Sequence, residues 1–139
     1  QEDNRELFRR MVFNIAMANE DDHEKNHAVL MTPTGFRLSP AYDVLPTLSG
    51  QGHQQFTCGS HGVESSLANA MTQYPTFGLS EREALDIVSH VVATVNGWEA
   101  HFRACGVSEG DIETVRNDVD APHRVAERVA YGKGRAPSP

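Results

Sequence analysis

The feature that most constrains this chain is an apolar stripe at helical spacing in its second half. Ala84, Val88, Val91, Val92 and Val95 recur every one to four residues along one helical face, and Trp98 and Phe102 extend it. A stripe of that length suits a long amphipathic helix and exceeds an ordinary strand. Ser80 and Glu83 supply a capping box at its start. The serine oxygen can accept from the third helical N–H, while the glutamate reaches back to the cap. Gly97 can bend this helix and Gly106 can end it.

The flanking segments follow the same logic. Leu7, Phe8, Met11, Val12 and Ile15 share one face of a first helix, with Asn4 as its N-cap and Arg9, Arg10 and Asn14 on the other side. Ser65 to Tyr74 predicts a short helix ending before Pro75. Ser108 with Asp111 starts another through Ile112 and Val115, and Pro122 to Tyr131 is the last, stopped by Gly132. Only Ala28–Met31 and Phe36–Leu38 read as strands, a small hairpin about Pro33-Thr34-Gly35. From Thr47 to Gly62 the Gly, Ser, His and Gln content predicts a mobile loop. The expectation is a mainly α fold with one short hairpin: one domain over residues 1–132 and a disordered tail over 133–139.

Composition narrows the function classes. With 139 residues, 39% hydrophobic and 22% charged, the chain is one globular domain. A formal charge of −7 argues against nucleic-acid binding by a broad basic surface. Arg124, Arg128, Lys133 and Arg135 form the one local basic spot, read as a solvated helix face running into the tail. Cys58 and Cys105 lie far apart with no CxxC pair, which suits a reducing cytoplasm and incidental thiols. No apolar run approaches the ~18 residues of a membrane helix. The polar start, Gln1 to Asn4, is neither a signal peptide nor a start methionine, so an excised fragment is expected.

The chemistry concentrates after the first helix. Asp21, His23 and Asn26 form D-x-H-x-x-N, and Asp43 follows 22 residues after Asp21, beyond the hairpin. Phosphoryl transfer from ATP needs a carboxylate to orient the attacking hydroxyl and accept its proton. It also needs oxygen ligands for magnesium and a positive group facing the transferring phosphate. Protein kinases space the base and a metal-binding Asn five positions apart and set a second metal-binding Asp beyond a short hairpin. On that pattern Asp21 is the base, and Asn26 and Asp43 bind Mg2+. His23 contacts the phosphate or buttresses the loop, and Lys25 is a second candidate for that role. Asp22 competes for the base role if the register slips by one. Tyr42 is expected to pack and fix Asp43.

The two blocks Asp21-Asp22-His23-Glu24-Lys25-Asn26 and Leu38-Ser39-Pro40-Ala41-Tyr42-Asp43-Val44-Leu45 resemble the C-terminal domain of HipA-type kinase toxins. That family combines a D-x-H-x-K-N loop with a hairpin ending in P-x-Y-D-hydrophobic. The specific likeness covers Leu7 to Pro46. It implies the helical C-terminal lobe of a kinase-like fold, a bacterial cytoplasmic setting and a toxin–antitoxin role. ATP is then the phosphate donor, a serine on an aminoacyl-tRNA synthetase the acceptor, and a DNA-binding antitoxin the partner. Only 20 residues precede Asp21, so the nucleotide-gripping lobe is expected to be missing, leaving the fragment inactive and an exposed lobe interface prone to homodimerisation. Two other readings stay open: a non-catalytic helical module that binds a partner, and a metal-dependent hydrolase using Asp21, Asp22, His23 and His27.

Overall fold

The computed structural model describes residues 2–132. Among these residues six helices dominate: α1 (Glu2–Ala16), α2 (Leu67–Met71), α3 (Glu81–Val95), α4 (Trp98–Ala104), α5 (Glu109–Val119) and α6 (Pro122–Tyr131). The one sheet among the described residues is an antiparallel hairpin of β1 (Val29–Thr32) and β2 (Gly35–Leu38), with Met31 opposite Phe36. The fold is therefore mainly α with one short hairpin after the D-x-H-x-x-N loop. The expected tail, 133–139, lies outside the described residues.

The capping box is present as anticipated. Ser80 accepts from the Glu83 N–H, and the Glu83 carboxylate accepts from the Ser80 N–H at 2.9 Å. Arg5 adds an ion pair from α1, and together these hold the Glu83 carboxyl down at about 2. From this start α3 buries Ala84, Val88, Val91, Val92 and Val95 against Phe8, Val12 and Ile15 of α1. The two helices make the centre of the core, and at roughly 1.5–3 kcal/mol per large buried side chain this seam is the main source of stability. The stripe does not continue as one helix. It breaks at Asn96-Gly97, and α4 restarts with Trp98 buried and its ring edge-on to Phe102.

Several boundaries differ from expectation. Asn4 lies inside α1 and is not its cap. Asn14, expected on the polar side, is buried. The short helix α2 is followed by a separate 3-10 turn, Tyr74–Phe77, that accommodates Pro75 at its start, where a missing N–H costs nothing. The segment 47–62 is irregular but extensively bonded. Gln54 and Cys58 are buried in it, and their N–H groups donate to Val63 and Gly62 carbonyls.

The basic spot is the largest correction. Arg124 and Arg128 are buried, whereas Val125 and Val129 of the same helix are exposed. Arg124 donates to the Ile15 carbonyl at the end of α1, and Arg128 to the Val119 carbonyl at the end of α5, both at 2.6 Å. Helix C-termini present unpaired carbonyls and partial negative charge, and a guanidinium answers both. Lys133 and Arg135 lie outside the described residues.

Candidate active site

The site begins where α1 stops. Ala18 has φ +59°, a left-handed conformation unusual for alanine, and it turns the chain sharply. Asn19 fastens the turn by donating to Asn14 twice, from its N–H at 2.8 Å and from Nδ2 at 3.2 Å. The next three acidic side chains go to different surroundings. Glu20 is buried: its carboxylate accepts from the N–H groups of Gln51 (2.7 Å) and Gly52 (3.0 Å) and pairs with Arg124 at 2.6 Å. A side chain at Gly50 would meet that carboxylate at 2.5 Å and could enter only by displacing the buried Glu20. Asp22 is buried in turn, its Oδ1 2.9 Å from His27 Nε2. Asp21, between them, is exposed and its carboxylate makes no hydrogen bond among the described residues.

Asp21 lines a polar cleft of about 540 Å³, and Asp43 lines the same cleft. The hairpin makes this possible. Ser39 closes its base by donating to the Ala28 carbonyl, and Arg10 of α1 donates to the Ser39 carbonyl at 2.6 Å. The Tyr42 hydroxyl then donates to the Lys25 carbonyl at 2.5 Å, tying the segment before Asp43 to the loop after Asp21. Asp43 itself has φ +55°. Such a conformation costs a non-glycine residue of order 1–3 kcal/mol, and it recurs where a side chain must be aimed.

Asn26 sits differently. It ends a 3-10 turn, Glu24–Asn26, and is buried. Its Nδ2 donates to the Asp21 carbonyl at 3.3 Å, so Oδ1 is the oxygen left for another partner. Its side chain borders a neighbouring cavity of about 290 Å³ beside Tyr42 and Val44, separate from the Asp21–Asp43 cleft. His23 is half-buried with Nδ1 unpartnered, and Lys25 is exposed without an ion pair among the described residues. No three His, Cys, Asp or Glu side chains among the described residues converge as a metal-ion group. Cys58, close to Asp22, has its thiol pushed up to about 11, first by burial and then by that carboxylate, which disfavours the reactive thiolate.

Four supporting residues escaped the sequence reading. Arg10 and Asn14 looked like a solvated face and Arg124 like part of a basic patch, and Glu20 had drawn no role. Only the paired asparagines at 14 and 19, flanking the end of a helix, offered a local signal.

A helix feeding a D-x-H-x-x-N loop, with a hairpin returning a second acid beside it, defines the helical C-terminal lobe of a kinase-like fold. The family model for the HipA-like C-terminal domain matches residues 1–98, and the chain belongs to that family. Searches of curated proteins and of solved structures returned no match. Helices α5 and α6 and nearly all of α4 lie beyond the matched span.

Proposed function

We propose that this domain is the catalytic-loop lobe of an ATP-dependent serine/threonine protein kinase in a toxin–antitoxin system. One observation carries the reading. Of three consecutive acids, Glu20 and Asp22 are buried and engaged, while Asp21 is free and shares a cleft with Asp43. The Asp21 carboxylate accepts the proton of the substrate serine as the serine oxygen bonds to the γ-phosphorus. The bond from that phosphorus to the β–γ bridging oxygen breaks, and ADP leaves with the electron pair.

Magnesium, when bound, neutralises charge on the phosphates. Asp43 fits that role by its hard oxygens and its place on the cleft. Asn26 fits by donor type and by its bond to the Asp21 backbone, but its burial against the neighbouring cavity makes the fit looser. Lys25, with a free ammonium near the loop, suits a contact to the transferring phosphate, and half-buried His23 suits a buttress. The acceptor on an aminoacyl-tRNA synthetase, the DNA-binding antitoxin and the cytoplasmic setting follow from the family likeness. Kinases grip the nucleotide with a second lobe, so transfer is a property of the intact protein, and these 139 residues alone should be inactive.

The test is transfer from radiolabelled ATP by the intact protein carrying Asp43→Ala, across a magnesium titration. The expected result is a loss of roughly 10²-fold or more at every magnesium concentration. An unchanged rate and an unchanged magnesium requirement would remove Asp43 from the site.

A further inference from the structure

The cleft has a floor that the proposed chemistry does not use. Glu20, directly before Asp21, is nine-tenths buried, and every oxygen of its carboxylate is engaged. Gln51 and Gly52 donate to it from one side, and Arg124 of α6 closes it from the other. The Glu20 N–H donates to Thr47 Oγ1 at 2.9 Å, and the Thr47 N–H donates to the Ala18 carbonyl at 2.8 Å. The backbone leading into Asp21 is thereby stitched to Thr47, and Thr47, Gly50 and Gln51 line the same cleft as Asp21 and Asp43. Arg124 secures this stitch and, through the Ile15 carbonyl, the end of the helix that feeds the loop. The same helix also fastens the start of α2, where Glu127 accepts from the Leu67 N–H at 3.1 Å.

Desolvation favours loss of the Arg124 proton, but the adjacent Glu20, Glu127 and Asp118 charges oppose it, and a guanidinium does not deprotonate at physiological pH. The pair is a fixed, dry, charge-assisted contact between residues 104 positions apart.

We propose that Arg124 is a positioning residue of the phosphotransfer centre, holding Glu20 so that Asp21 and the Asp43 wall keep their separation. It acts without touching substrate, from a helix outside the family-matched span. This rests on the phosphotransfer reading for its catalytic consequence, but the clamp itself is testable apart from it.

Arg124→Met alone leaves a buried unpaired carboxylate and endangers folding. The double variant Arg124→Met/Glu20→Gln removes both charges and leaves a single amide oxygen, no longer held by Arg124, as the acceptor that Gln51 and Gly52 share. In the intact protein this double variant should fold with near-normal stability. Its kcat should fall about 10²-fold while KM for ATP stays within a few-fold, as expected when groups are misplaced by about 1 Å. Arg124→Lys, which keeps the charge but not the two-armed reach, should fall in between. Hydrogen exchange supplies the activity-independent arm. Amides of Gln51, Gly52 and Glu20 should exchange at least ten-fold faster in the double variant, with α3 amides unchanged. A folded double variant with wild-type kcat overturns the positioning role. Unchanged exchange at those three amides overturns the clamp. If wild type transfers no phosphate, the kinase reading fails while the exchange result still decides the clamp.

Discussion

Asp21 and Asp22 are identical side chains one residue apart, and their surroundings separate them. Asp22 is closed in and faces His27, whereas Asp21 stands free on the cleft. Their substitutions should therefore differ in kind. Asp22→Ala should destabilise by about 1–3 kcal/mol in urea unfolding, because it strands the His27 nitrogen it partners. Asp21→Ala should stay within roughly 0.5 kcal/mol of wild type. Equal losses for the two would mean that Asp21 has a structural partner in solution. The sequence already preferred Asp21, from the five-residue interval to Asn26. It could not show that Asn26 would turn its amide to the Asp21 carbonyl and border a different cavity, because that depends on how α1 and the Tyr42 segment pack around it.

At the scale of elements, what was legible was local. The Ser80–Glu83 box, the Ser108 cap, the Pro122 start and the hairpin turn each depend on residues within four positions, and each is present. The cap on α3 also makes a pH prediction. Glu83 titrates near 2 when folded, against a usual 4.5, chiefly because the Ser80 N–H and hydroxyl bond its carboxylate and Arg5 lies beside it. A lowered folded value means that the stabilisation is complete above about 4.5 and disappears as pH falls through about 2. Ser80→Ala should lower the melting temperature by roughly 2–6 °C at pH 7, and the gap to wild type should narrow from pH 4.5 to pH 2. A gap independent of pH would show that the carboxylate is not part of the cap. The hairpin illustrates the opposite case. Its strands were legible, but Met31 and Phe36 are 81% and 71% exposed.

Across the whole molecule, the α1–α3 seam forms the core and α6 straps the last turn of α1, the cleft floor and the end of α5 together. Helix α6 was legible as a helix but inverted as a face. Its valines point outward, and Arg124, Arg128 and Tyr131, at i, i+4 and i+7, point in. Hydrophobic periodicity cannot find such a face, since its partners are helix-end carbonyls and acids up to 109 residues away. On the proposed reading, the Asp21–Asp43 cleft, assembled by this packing, is where phosphate is transferred. The most direct test of that reading is transfer of label from γ-labelled Mg-ATP to protein serine by the intact protein, wild type against Asp21→Asn. The expected result is labelling by wild type and a loss of about 10²- to 10⁴-fold in a variant that remains folded. A folded Asp21→Asn protein within several-fold of the wild-type rate, or a wild type that transfers none, would contradict it.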